Sequence, residues 1–357
     1  MHSIDYKKMK FIYKELNTYI IMSKSIKIKE KEKSEFSKKD MLGFTRLVLN
    51  FSGKDINYVI INSLRRIILS DIPIYAYNNF NIIKNTSVFN NNYIKSHVKN
   101  IPVWGIENKI DDIEKTVEFE LKKQKDNQEE VFDNEKGIIQ DDVELEVSTN
   151  TDYSSLNKLT MYVEKENKTD DILSVTTDDC SFYYKENSIK SPYYNPVQIV
   201  KLQPNQEIKL SVQANLGTTD ENSIFSACST CHFIENDEDD YDFILESRGQ
   251  ISEVRIIKIG INLILKRLRK FYNNLPKNKG MEGLLKVENE DHLLGNLLTY
   301  QMQNNPSVKF CGYSTPHPLN NEIVIEYKLI NGNLNSIFKD IISYYEKIFK
   351  DIEAKIS

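Results

Sequence analysis

The chain has 357 residues, 40% of them hydrophobic, which is enough for two or three domains with separate cores. Its formal net charge is −5 and its pI about 5.7, which argues against a general phosphate-binding surface, because such binding is driven by clustered Lys and Arg. The four cysteines, at 180, 228, 231 and 311, are too few and too unevenly spaced for a disulfide scaffold and fit a reducing compartment.

Residues 1–40 carry eleven Lys against six acidic residues and form a basic N-terminal extension. Its front half, with Met9, Ile12, Tyr13, Leu16 and Ile20 at helical spacing, reads as a short helix; KIKEKEKSEFSKKD behind it reads as a solvated tail. Neither a signal peptide nor an apolar run of membrane-spanning length is found, so an intracellular, soluble protein is expected. Next comes a strand, FTRLVLNF at 44–51, and then a helix opened by Asp55 and stopped by Pro73. Its apolar face is Val59, Ile60, Leu64, Ile67 and Ile68. An extended segment, Ile74 to Tyr77, follows.

The stretch 78–239 changes character. Acidic and Asn-rich linkers (107–142 and 150–157) separate strand-like runs at 159, 196 and 207, no amphipathic helix stands out, and a mostly β insertion is predicted. After it, DFILES at 242–247 reads as a strand. A long helix opens at Ser252 and Glu253 and carries Val254, Ile257, Ile261, Ile264, Leu265, Leu268 and Phe271 on one face. The Pro- and Gly-containing stretch 273–283 reads as a linker.

The last block, 284–357, runs strand, helix, strand, strand, helix. Its first helix, with Leu293, Leu294, Leu297, Leu298 and Met302 at helical spacing, starts at Asp291 and ends near Asn304, ahead of Pro306. Its closing helix carries Leu334, Ile337, Phe338, Ile341, Ile342, Tyr345, Ile348, Phe349, Ile352 and Ile356 at steps of three and four. The two ends of the chain thus repeat one order: strand, helix ending at proline, two strands, long amphipathic helix. Residues 41–77 with 240–272 make the first copy and 284–357 the second. Each long helix offers more apolar surface than one small sheet can cover, so the copies are expected to pack through them. The expected interface comprises Ile261, Leu265, Leu268, Leu297, Leu298, Phe338, Ile341, Ile342, Tyr345 and Ile348, and the fold class is α+β.

The segments INSLRRIILSDIPIYA at 61–76 and KNTSVFNNNYIKSHVKNIPV at 84–103 resemble the signature of the third-largest subunit of RNA polymerase II and of the bacterial polymerase alpha subunit. EDHLLGNLLTYQMQNNPSVKFCGYSTPHPLNNEIVIEY at 290–327 closely resembles the small alpha-like partner, the eleventh subunit. VQIVKLQPNQEIKLSVQANLG and YDFILESRGQIS fall in the matching order between them. Both partners in one polypeptide looks like the fused form known from large nucleocytoplasmic DNA viruses, which implies a host cytoplasm and virion location; otherwise the nucleus is implied.

The resemblance implies a platform without an active site, joined by helices across a dimer interface. It would dock the second-largest and largest polymerase subunits, together with small accessory subunits, and make no sequence-specific DNA contact. Nucleotidyl transfer and its magnesium would belong to the large partners, with no cofactor in this chain. Carried over residue by residue, Asn62, Leu64, Arg65 and Arg66 lie on the helix turned toward the large subunits. The two guanidinium groups suit bidentate contacts to carboxylates or carbonyls.

Other features compete with this reading. Cys228, Cys231 and His232 have the spacing of half a zinc site, and Cys180 is the one other thiol near them in sequence. The zinc loop common among the family's third-largest subunits would fall at about 105–140, where there is no cysteine. Buried cysteines on a strand are expected instead. Asp239, Asp240 and Asp242 have the chemistry for magnesium but read as a solvated acidic loop, and His317 lacks a nucleophile or orienting carboxylate beside it. A zinc-dependent enzyme and a stand-alone interaction module remain the alternatives.

Overall fold

A computed structural model describes residues 26–34, 45–104, 159–184, 187–193, 195–276, 280–317 and 321–356. Residues 1–25 and 35–40 of the basic extension, both acidic linkers and Pro318 lie outside the described residues. The described chain is a mixed α+β protein with four antiparallel sheets.

The first sheet has the order β1 (Lys27–Ser34), β2 (Thr45–Ser52), β11 (Asp240–Ser247), β10 (Cys228–Asp237). Leu47, Leu49 and Phe51 alternate on the buried face of β2 and meet Phe243 and Tyr241 of β11 in register. Against this sheet lie α1 (Tyr58–Ser70) and, after the insertion, α3 (Glu253–Asn273). Asn57, not Asp55, caps α1, its side chain accepting from Ile60 N at 3.1 Å. Ile56 and Ile61, both buried, take the positions flanking that cap where an apolar staple fixes the entry of the chain.

The last sheet has the order β12 (Glu282–Glu288), β14 (Glu322–Leu329), β13 (Val308–Ser314), with α4 (His292–Gln303) packed beside it and α5 (Leu334–Lys355) packed on α4. Asp291 caps α4 by accepting from Leu293 N at 3.0 Å, and Asn304 ends it. Gly295 lets α4 lie close on β13: a Cβ there would stand 2.5 Å from Tyr313 Cδ2, at the base of a ring that would have to move bodily.

Between these parts lies the insertion. It consists of a five-stranded sheet, β3 (Ile74–Asn85), β9 (Glu207–Gly217), β4 (Leu159–Glu166), β6 (Cys180–Tyr184) and β7 (Asn187–Ile189), and a two-stranded sheet, β5 (Leu173–Thr176) with β8 (Gln198–Leu202). It also contains α2 (Asn91–Lys99), a short helix whose Ile94 and Val98 are its only buried residues.

Three expectations change. Lys27–Ser34 is not a solvated tail; it is the edge strand of the first sheet, its charged side chains suiting an open edge while Ile26 and Ile28 supply its apolar contacts. The strand that follows Pro73 does not join that sheet but leaves it, pairing with β9. Its place is taken by β10, expected inside the insertion, which returns with Phe233 opposite Phe243 and Cys228 and Cys231 buried.

Replacing Gly295 by Val adds a branched side chain where no space exists and gains only roughly a few tenths of a kcal/mol of helix propensity in return. A loss of about 1–3 kcal/mol is expected, read as a lower urea midpoint at unchanged slope.

Candidate interaction site

The four long helices meet in one layer: α1 packs on α3 and α4, and α5 packs on α3 and α4. All ten residues expected at the helix interface are buried, from Ile261, Leu265 and Leu268 on α3 to Leu297 and Leu298 on α4 and Phe338, Ile341, Ile342, Tyr345 and Ile348 on α5. The aromatic contact that bridges α3 and α5 is Phe271 with Phe338, edge to face at 5.0 Å. Tyr345, in contrast, points back within its own block, its hydroxyl donating to Leu297 O at 2.7 Å.

The rim of the layer is polar, and spacing along the chain holds no trace of it because its partners lie far apart in sequence. Arg269 Nε donates to Glu346 Oε1 at 2.7 Å. Lys355 Nζ donates to Ile26 O at 2.6 Å, tying the end of α5 to the start of β1. Tyr58 and Tyr300 meet edge to face at 6.3 Å across α1 and α4. At the centre of the rim stands Asp291. While Oδ1 caps α4, Oδ2 accepts from Arg66 Nη2 at 2.9 Å, and Arg267 Nη1 of α3 lies 3.5 Å away. Arg267 also pairs with Asp71 at the end of α1 and stands 4.0 Å from Glu290.

Glu290 is 6% exposed, and its Oε2 accepts no hydrogen bond among the described residues. Burial, opposed by Arg267 and Lys270 and reinforced by Asp291 and Asp71, pushes its carboxyl up from 4.5 to about 6. Asp71 is pushed up by burial as well, against the pull of Arg267.

The four residues expected to face large partners divide. Leu64, 1% exposed, belongs to the core face of α1 and cannot present itself to a partner, because it occupies the same stripe as Ile60 and Ile67. Arg66 is engaged with Asp291. Asn62 and Arg65 remain on the outward side, half-buried, with Arg65 Nε donating to Asn62 Oδ1 at 3.0 Å, which leaves the guanidinium's terminal nitrogens for other acceptors.

The sulfur atoms do not converge with the histidine. Alternation along β10 buries Cys231 and exposes His232, so the two side chains point to opposite faces of the strand, and burial pushes the Cys228 thiol up to about 11 and the Cys231 thiol higher still, as it does for thiols packed in an apolar core. No group of three or more His, Cys, Asp or Glu residues among the described residues could hold a metal ion. In the acidic run, Asp240 and Asp242 accept hydrogen bonds from Asn50 Nδ2, at 2.5 and 2.8 Å, and Asp242 also pairs with Lys31 at 2.6 Å. Among the described residues no helix is long and apolar enough to cross a membrane.

Residues 282–355, which span β12 to α5, match the family model of the RNA polymerase Rpb3/Rpb11 dimerisation domain. The chain is 26% identical over 322 residues to a protein of Acanthamoeba polyphaga mimivirus named DNA directed RNA polymerase subunit R470, covering 86% of this chain and 89% of that one. It is 33% identical over 84 residues to DNA-directed RNA polymerase II subunit RPB11 of Plasmodium falciparum, covering 21% of this chain and 67% of the relative. Over 52 residues it is 42% identical to the RPAC2 subunit of RNA polymerases I and III of Saccharomyces cerevisiae, covering 15% of this chain and 37% of the relative.

Because the folded pKa of Glu290 lies above its unfolded value, its favourable contribution is complete below about pH 4.5 and is lost as pH rises through about 6. Glu290→Gln, which keeps the shape and removes the buried charge, is therefore expected to raise stability at pH 7.5 by about 2 kcal/mol. It should also flatten the change in melting temperature between pH 4.5 and 7.5, followed by circular dichroism. An unaltered pH profile would contradict the assignment.

Proposed function

The chain belongs to the alpha-like, Rpb3/Rpb11-type subunits of DNA-directed RNA polymerase, and from that premise we propose that its two ends are two dimerisation units fused as an intramolecular pseudo-dimer that docks the large catalytic subunits. It is a non-catalytic assembly subunit, and its partners are other polymerase subunits. On this reading nucleotidyl transfer and its magnesium reside in the second-largest and largest subunits, this chain holds no cofactor of its own, and the complex works inside the cell. The units are taken as 26–73 with about 228–273, and 282–356, the stretch between 74 and 227 being the insertion.

One observation carries the fusion. The order β2-β11-β10 in the first sheet is matched by β12-β14-β13 in the last; α1 packs on β10 as α4 packs on β13, and each block closes with a long helix. Like elements then meet like, α1 against α4 and α3 against α5, which is what a two-fold relation between units requires. That only the second unit matches the family model is consistent with the first being split by an insertion between α1 and β10.

For docking, Asn62 and Arg65 are the outward pair on α1, whereas Arg66 serves the seam. A guanidinium held by a side chain three residues back is pre-oriented for a carboxylate or a carbonyl. Arg65→Glu is expected to leave the melting temperature unchanged and to lower co-purification of the two large subunits by roughly tenfold; undiminished recovery would remove Arg65 from the interface. Arg66→Glu would set a carboxylate against Asp291 and so test the seam instead. Replacing both Ile341 and Ile348 by Asp buries two unpaired carboxylates, at several kcal/mol each. Aggregation is the expected result, and a soluble variant with native near-ultraviolet circular dichroism would refute the pairing of α3 with α5.

A further inference from the structure

Among the described residues, exposed apolar side chains gather at several places, one of which is the far end of β3 and the start of α2. Ile83, Val88, Phe89 and Tyr93 all lie in the open there, Val88 at 66% exposure and Tyr93 at 51%. Single exposed hydrophobic residues are ordinary; a cluster held in a fixed arrangement is not.

The arrangement is fixed by the loop and by the rings. Asn85 Oδ1 accepts from Ser87 N at 3.1 Å and Ser87 Oγ at 2.6 Å, while Asn85 Nδ2 donates to Phe89 O and Asn91 Oδ1, each at 2.9 Å. Asn90 caps α2, accepting from Tyr93 N at 2.8 Å. The rings of Phe89 and Tyr93 stack at 4.4 Å and 14°, and Tyr93 lies parallel to His97 at 6.3 Å and 2°. The His97 ring is itself anchored, with Nε2 2.9 Å from Gln198 O. The ordering that a flexible loop would undergo on binding is thus largely complete in the free chain. The charge along this segment is one-sided, although Glu207 of β9 lies against its start and pairs with Lys84. From Lys84 to Trp104 the sequence holds three lysines, at 84, 95 and 99, and no Asp or Glu, in a chain of net charge −5.

We propose that this aromatic ladder is a docking surface for another polymerase subunit, received as an apolar segment flanked by Asp or Glu. The inference rests on the assembly reading above, because it supposes that the chain works inside a polymerase. Protein is favoured over nucleic acid for two reasons. Phe89 and Tyr93 stack on each other, so each has given up a face that a base would need. Lys84 is already paired with Glu207, and the two half-buried lysines left neutralise too few phosphates for binding driven by counterion release.

The test places a photo-crosslinking benzoylphenylalanine at position 93 of the tagged full chain and purifies the polymerase through the tag. A cross-link to one other subunit is expected, on a peptide that carries Asp or Glu. Its yield should fall about tenfold with Val88→Ser plus Phe89→Ser and about threefold with Lys95→Glu plus Lys99→Glu. If the preparation contains the large subunits but position 93 gives no cross-link, or cross-links to nucleic acid, to a second copy of this chain or to a peptide without acidic residues, this inference falls and the assembly reading stands. A preparation without the large subunits overturns the assembly reading, and this inference with it.

Discussion

The structure depends on covering the apolar faces of four helices that two small sheets cannot cover alone. Burying one large aliphatic or aromatic side chain is worth about 1.5–3 kcal/mol. Half a dozen of them at the contact of α3 and α5 therefore contribute on the order of 10 kcal/mol, comparable with the whole net stability of a domain. The halves of the chain have little reason to persist apart. With Phe271 in the last turn of α3 against Phe338 near the start of α5, and the end of α5 tied to Ile26, the helix layer joins the first and last described residues of the chain into one core.

Polar contacts at the rim play a different part. The pair of Arg66 with Asp291 is about two-fifths exposed on both sides, and such pairs are worth about 0–1 kcal/mol. Glu290, buried beside it without a hydrogen bond at Oε2, costs stability when ionised. The cluster therefore does not hold the halves together. What it can set is register: Asp291 caps α4 and receives Arg66 through its two oxygens, so sliding α1 by one turn would leave either the helix end or the arginine without its partner. Nonspecific burial supplies the energy, and one carboxylate selects among the alignments that burial alone would tolerate.

This division explains what could be read from the residues. Elements defined by periodicity were legible: β9 and β14 follow from alternation, and α4 begins at its Asp291 cap and ends at Asn304, ahead of Pro306. The buried state of the ten expected interface residues follows from their spacing of three and four. Where charge masks the pattern, reading failed. In KIKEKEKS only Ile28 faces the core, so β1 looks like a tail until β2 is seen beside it. The acidic tip at Asp237–Asp240 disguises the β10 to β11 hairpin as a loop, and α2 buries only Ile94 and Val98, too few to reveal a helix. The bond of Arg66 to Asp291 is illegible for another reason, since its partner lies 225 residues away and no local spacing encodes it. Leu64 carried the family's motif but, on a helix whose neighbours at 60, 61, 67 and 68 are all buried, it could only point inward.

The exchange of β3 for β10 bears on how such a chain tolerates its insertion. The strand after Pro73 does not take the edge position beside β11, which β10 occupies. Instead β3 departs directly after α1, and the chain comes back as an edge strand, so the insertion interrupts no ladder of the first sheet. The joint is tied by a buried side chain. Gln250, 4% exposed in the turn before α3, accepts from Tyr75 N at 2.8 Å and donates to Tyr75 O and Val103 O, each at 2.9 Å, imitating a strand where none passes. A buried amide with three partners satisfied is costly to disturb. Gln250 thereby ties the start of β3 and the backbone at Val103 to the turn that opens α3, which couples the insertion to the helix layer through backbone groups.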